Sequence, residues 1–145
     1  MRAGGAGIPG FYTPTGVGTL LEHGGFTIKF APDGKNAVIE SKPKETKTFN
    51  GKKCILEESI TGDFALIRGL RADEQGNVQF RKSARNFNAD AATAGKICIA
   101  EVEEIVPVGS IDPENVHLPS VYVDRIVKVE DPTKKIEFRT ITTPG

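Results

Sequence analysis

Apolar and polar residues alternate along short segments of this chain, and turn signals separate the segments. GFTIKF (25–30) and NAVIES (36–41) flank Pro32-Asp33-Gly34, which predicts a hairpin. KETKTF (44–49) and KKCILEE (52–58) flank Asn50-Gly51 and predict a second. DFALIRGLRAD (63–73) and NVQFRKS (77–83) bracket the turn 73–77, and VYVDRIVKVE (121–130) alternates again. KICIAEVEEIV (96–106) is mostly apolar, with Ile97, Ile99, Val102, Ile105 and Val106, and predicts a strand covered on part of both faces. The segments 63–73, 77–83, 96–106 and 121–130 are expected in one sheet. One helix is predicted, over 89–96, with Asn88 as its cap, Asp90 in its first turn and Gly95 as its stop. The fold class is strand-rich α/β: an open sheet with β-hairpins and few helices. Residues 1–130 form the folded part, and 131–145 a polar tail or linker.

The opening stretch, RAGGAGIPGFYTPTGVGT (2–19), breaks the alternation. Eight of the 16 glycines fall in the first 25 residues, and the expectation is a loop that brings backbone close to a ligand. Gly5-Ala-Gly7-Ile-Pro-Gly10 satisfies G-x-G-x-x-G on paper. A dinucleotide fingerprint also needs a strand before it and a helix starting within it, whose N-terminus holds the pyrophosphate. Pro9 and Pro14 deny it that helix, and no Walker loop is present. An exposed turn is the plainer reading, against which stand Ile8, Phe11 and Tyr12, apolar side chains that a loop in water does not require.

Charge and composition narrow the field. Lys plus Arg and Asp plus Glu are each 19, for a net charge of zero in 145 residues. No basic footprint for nucleic acid or an anionic membrane exists, so an anionic ligand must be held by local groups. Cys54 and Cys98 are far apart and neither sits in a CxxC, which fits a reducing compartment and no zinc site. No apolar run reaches about 18 residues, and no signal or transit pattern is visible. A complete α/β domain supplies helices to cover its parallel strands, which this chain cannot do. A piece of a larger domain is therefore expected.

Candidate chemistry is sparse. His23 and His117 lack spaced partners for a metal, so no metal site is expected and each histidine is read as a surface or hydrogen-bonded residue. Glu57 and Glu58 are neighbours on a strand and point to opposite faces, so they cannot share one site. Lys82, Arg85, Asn86 and Asn88 cluster between a strand and the predicted helix, where α/β sheets tend to hold ligands.

RAGGAGIPGFYTPTGVGT, FNGKKCILEESITGDFALIRGLRAD, GNVQFRKSARNFN, EVEEIV and PENVHLP (113–119), in this order and spacing, resemble the A portion of class I CoA-transferases, over 2–129. The chain departs from the family pattern after ARNFN, where 89–95 reads ADAATAG. The resemblance implies an internal piece of the A domain of an enzyme that moves CoA from succinyl-CoA to a 3-oxo acid such as acetoacetate, in ketone-body use in the mitochondrial matrix. It implies a CoA thioester as substrate, no cofactor, a B portion as partner and a homodimer in the full form. The family's nucleophile is a glutamate in a Ser-Glu-Asn-Gly segment that this chain does not contain, so no catalytic residue is expected here and the chain alone is expected to be inactive. Gly4, Gly5, Gly7, Tyr12 and Thr13, with Arg85, Asn86 and Asn88, are expected to wall the CoA cleft. Two other readings stay open: a noncatalytic remnant that docks on a B-like domain, and a free-standing binding module.

Overall fold

The structure is a computed structural model and describes residues 1–133. Its residues group into two compact units, Met1–Ala65 with Asp90–Lys96, and Leu66–Ala89 with the chain from Ile97 onward. From residue 134 the tail expected at 131–145 lies outside the described residues.

The first unit opens on α1 (Arg2–Gly5) and β1 (Gly10–Thr13), followed by α2 (Leu20–His23) and two hairpins, β2 (Thr27–Phe30) with β3 (Ala37–Glu40) and β4 (Thr46–Phe49) with β5 (Lys52–Glu58). Both hairpins form as the alternation predicts. Asn50 and Gly51 both take positive φ, 48° and 77°, the two-residue turn whose twist suits a hairpin and which Asn-Gly tolerates best. In the other turn, Asp33 Oδ1 accepts the N–H groups of Lys35 and Asn36.

The opening segment corrects the expectation of a loop. Arg2–Gly5 is one helical turn, and Gly10–Thr13 pairs antiparallel with β5, from Gly10 opposite Glu58 to Thr13 opposite Ile55. The partner strand lies more than 40 residues away, beyond any local window. Sheet order is β1-β5-β4. Cys54 and Ile55 are buried in β5. Glu22 is also buried; it pairs with Lys53 Nζ and accepts the Gly18 N–H at 2.7 Å. The lysine, then the amide, hold its carboxyl below the usual range. It spaces with the N-cap Thr19 as a capping box would. Its carboxylate therefore fixes the turn before α2. Glu57 pairs with Lys44, while Glu58 is exposed, in keeping with their opposite faces.

The second unit is built on a four-stranded sheet of order β7-β6-β8-β9. Here β6 is Gly62–Asp73, β7 is Val78–Gln79, β8 is Gly95–Val106 and β9 is Arg125–Lys128. The four predicted segments do share one sheet, but two of them are shorter as strands. NVQFRKS keeps only two strand residues before a 3₁₀ turn, Lys82–Arg85. VYVDRIVKVE starts as another 3₁₀ turn, Ser120–Tyr122, entered from Pro119. That turn is tied down from outside, because Asn77 Oδ1 accepts the Ser120 N–H.

On β6 and β8 one face is sealed and the other is not. Ile67, Cys98, Ala100 and Val102 are buried, with Val78, Phe80, Ile111 and Leu118 in the same core. The alternate positions Leu66, Arg68, Ile99 and Glu101 are half-buried or exposed. Gly69 is needed on the sealed face, since a Cβ there would lie 2.5 Å from Val78 Cγ1. The buried Asp73 organises the turn 73–77 by accepting from Gln75 N at 3.1 Å, Asn77 N at 2.9 Å and Asn77 Nδ2 at 2.8 Å. Burial opposes its charge, but the bonds from Asn77, Gln75 and Gly76 outweigh it and hold the carboxyl below its ordinary range. His117 is a hydrogen-bonded residue: its Nδ1 accepts the Phe80 N–H at 3.0 Å.

The predicted helix forms as α3 (Asn88–Ala94), with Gly95 at its end starting β8. Asn88 does not cap it. Asn88 is its first residue, and its side chain turns to β6 instead.

Candidate functional site

The expected site residues fall in both units. In the first, the opening glycines are packing devices. A Cβ on Gly4 would lie 2.1 Å from the Ile60 carbonyl oxygen, and one on Gly5 2.3 Å from Thr93 Oγ1. The amides of Gly5, Ala6, Gly7 and Ile8 donate to Met1, Arg2, Gly4 and Ala3 carbonyls within the turn. Gly7 stands apart, with φ +72° and open space where its Cβ would be. A strand, not a helix, follows the G-x-G-x-x-G match, so its pyrophosphate-binding context is absent.

Tyr12 and Thr13 lie on β1. The Tyr12 hydroxyl donates to Glu45, its ring centroid is 5.2 Å from that of Phe49, and Lys47 Nζ is 5.9 Å from the ring centre. The Glu45 bond, then burial, then the Glu45 charge raise the phenol's pKa. Thr13 Oγ1 accepts the Thr15 N–H at 3.2 Å.

In the second unit the polar cluster after β7 borders a cleft of about 590 Å³. Arg68, Arg81, Lys82, Asn86, Asn88 and Glu103 line it; Arg85 does not. Asn88 is the joint between strand and turn, with Oδ1 accepting the Arg68 N–H at 3.1 Å and Nδ2 donating to the Ala84 carbonyl at 2.7 Å. Across the outer face of the sheet, Arg68 meets Glu101 at 3.3 Å and Arg81 meets Glu103 at 2.8 Å. Lys82 makes no ion pair among the described residues, and it holds φ +51°, a left-handed conformation uncommon for a residue with a side chain. The arrangement offers two guanidinium groups and an ammonium at the rim of a concave surface. This suits an anion with several oxygens.

Arg68, Arg81 and Glu103 did not stand out in the sequence. For Arg68 and Glu103 the signal was present as polar positions at alternate places within apolar strands, ALIRGL and AEVEE, where one face is left for water or a ligand; Arg81 lies in the turn after β7 and carried no such signal. No group of three or more potential metal ligands occurs among the described residues.

The Coenzyme A transferase family model matches residues 1–129, and the chain belongs to that family. It is similar to the human succinyl-CoA:3-ketoacid coenzyme A transferase 2, mitochondrial, with 52% identity over 141 residues, 97% of this chain and 27% of that protein. It is 51% identical over 140 residues to the A subunit of the Helicobacter pylori (strain J99) succinyl-CoA:3-ketoacid coenzyme A transferase, covering 97% of this chain and 52% of that one. The chain thus spans between about a quarter and a half of the curated relatives it matches. Among solved structures it is similar to the Escherichia coli O157:H7 acyl-CoA transferase in its thioester complex with CoA, with a TM-score of 0.70 at 23% identity over 91% of this chain and 27% of that one. The glutaconate coenzyme A-transferase of Acidaminococcus fermentans gives a TM-score of 0.65 at 23% identity over 88% of this chain and 41% of that one. Both likenesses concern the fold.

Proposed function

We propose that this chain is the A-side portion of an enzyme that moves CoA from succinyl-CoA to a 3-oxo acid such as acetoacetate. The observation that carries the reading is identity of 52% and 51%, across 97% of the chain, to relatives named for that reaction, one a human mitochondrial protein and one a bacterial A subunit. The partner is a B portion, in the same chain or on a separate polypeptide, and the working place is the mitochondrial matrix.

The reaction needs a carboxylate nucleophile, which this reading places in the B portion. A glutamate attacks the succinyl thioester carbonyl and expels CoA thiolate, giving a mixed anhydride. The thiolate returns to the glutamyl carbonyl and releases succinate, leaving a glutamyl-CoA thioester. The 3-oxo acid's carboxylate attacks that thioester and expels CoA thiolate, giving a second mixed anhydride, whose 3-oxoacyl carbonyl the thiolate then attacks to form the new thioester and release the glutamate. This chain's share is binding and positioning, which can supply several kcal/mol but only to a reaction that has its nucleophile. On this reading Gly4 and Gly5 shape the opening turn by close packing, Gly7 supplies its left-handed bend, and Tyr12 and Thr13 stiffen that wall from β1; in the second unit Asn86 and Asn88 set the polar rim of its own cleft, with Arg85 outside it.

The test is transfer itself. The chain by itself should move no CoA from succinyl-CoA to acetoacetate, and co-expressed with the remaining A segments and a B portion it should restore turnover. Turnover by the isolated chain that is lost on mutating one of its own glutamates would refute this division of labour. A fully assembled protein that moves no CoA would refute the reaction.

A further inference from the structure

We propose that this chain's own residues 134–143 cover the apolar groove on the outer face of the second unit's sheet, with Ile136 and Phe138 as the side chains that fill it. The inference does not rest on the CoA-transfer reading.

The described residues leave this groove open. It measures about 380 Å³ and runs across β6, β8 and β9, where Leu66, Ile99, Val127 and Val129 line it together with Arg68 and Glu101. Leu66 is 76% exposed and Val127 49%. β8 and β9 pair in parallel, and parallel strands are characteristically covered on both faces. The inner face of this pair is sealed, while the outer face has no cover among the described residues.

The direction of the chain names the occupant. Val129 donates its N–H to the Val102 carbonyl at 2.9 Å, beside β8. The chain then turns back over the sheet: the Pro132 carbonyl accepts from Arg68 Nη2 at 3.2 Å, while Nη1 of the same guanidinium meets Glu101 at 3.3 Å. Arg68 stands on β6 and Glu101 on β8, so by Pro132 the backbone has come back to the groove's polar groups. Asp131 Oδ1 accepts the Thr133 N–H at 3.0 Å and fixes the bend. The next residues therefore set out from beside the groove.

Their sequence supplies what the groove lacks. After Thr133 the chain reads KKIEFRTITTPG. Ile136 and Phe138 alternate with Lys135, Glu137 and Arg139, the pattern of a segment with one side on apolar surface and the other in water. At about 3.3 Å per residue, Ile136 and Phe138 lie within roughly 13 and 20 Å of Pro132, enough to cross the two strand spacings, about 10 Å in all, between β6 and β9. A tethered segment is also held at high effective concentration, so it occupies the groove ahead of a free partner of equal complementarity.

The experiment uses the assembled protein, this chain with the remaining A segments and the B portion. Leu66→Cys is introduced alone and together with Phe138→Asp, Phe138→Leu or Phe138→Cys; the native Cys54 and Cys98 are buried. The proposal expects the thiol at position 66 to react with a maleimide roughly tenfold faster beside Phe138→Asp than in Leu66→Cys alone. Phe138→Leu should keep the slow rate, which separates loss of the contact from loss of the fold. The double-cysteine protein should form, on mild oxidation, a disulfide that peptide mapping assigns to positions 66 and 138 of one copy. Three results would overturn the proposal. One is fast labelling of Leu66→Cys alone, and another is an equal rate with and without Phe138→Asp. The third is oxidation of the thiol at 66 onto the B portion, the remaining A segments or a second copy, each of which would name a different cover.

Discussion

Asn88 Oδ1 accepts the backbone N–H of Arg68 at 3.1 Å, while its Nδ2 holds the Ala84 carbonyl at 2.7 Å. One half-buried amide thereby ties the 82–88 segment to β6 and sets the distance between the cationic turn and the strand that carries Arg68. Losing it leaves a donor and an acceptor unpaired, worth about 1–3 kcal/mol where water cannot replace them. Asn88→Ala should lower the thermal midpoint by several degrees and speed hydrogen exchange at the Arg68 amide. Unchanged exchange there would show that the bond does not hold the turn.

Gly4 and Gly7 are both glycines for physical reasons, but for different ones. Gly4→Ala drives a Cβ into the Ile60 carbonyl, which is backbone and cannot swing away. Gly7→Ala meets open space and suffers only from its left-handed φ, about 1–2 kcal/mol. Gly4→Ala should therefore be the more damaging, with the shift in amide resonances centred on Ile60 and Thr61. Equal urea midpoints for the two variants would contradict the close approach.

Cys98 is sealed between β6 and β9, and burial, then the charge of Asp124, pushes its thiol from 9.0 up to about 11. The folded state thus favours the neutral thiol more than the unfolded chain does. The associated stability is complete below about pH 9 and is lost as pH rises toward 11. Cys98→Ser or Cys98→Ala should flatten the loss of stability in that window, and Cys98 should react with thiol reagents only as fast as the unit opens. Rapid modification of native Cys98 at about pH 8, below its ordinary titration range, would argue against its burial.

The β2–β3 hairpin and its flank leave Phe26, Ile28, Phe30, Val38 and Ile39 all exposed. Two-stranded hairpins are marginal in water by themselves, and an apolar patch of this kind is larger than scattered surface residues explain. In the second unit, Leu66 on the outer face of β6 is 76% exposed. The chain should bind a hydrophobic dye and sediment with concentration-dependent mass. Ile28→Thr with Val38→Thr should reduce both signals. A chain that binds no dye and stays monomeric across a wide dilution series would mean that these surfaces are covered.

Local pattern decided the hairpins, the long strands and the helix of this protein. Alternation marks which side of a strand is apolar, and Asn50-Gly51 selects its turn from two adjacent residues, so the information sits within a few positions. The family resemblance was legible for the same reason, because long motifs such as RAGGAGIPGFYT survive intact in the linear chain. Tertiary structure decided what those windows cannot contain. β1 is a strand because β5 supplies its hydrogen-bond partners from more than 40 residues away, although its own glycines and prolines read as loop. Gly4 and Gly5 owe their identity to Ile60 and Thr93, and Asn88 leaves its capping position because Arg68 offers a donor across the sheet. The cleft rim followed the same rule: Arg68, Arg81 and Glu103 are ordinary polar positions in sequence, and only the pairing of β6 with β8 and the turn after β7 gathers them around one cavity. Pattern is set by neighbours along the chain, whereas a site is set by neighbours in space.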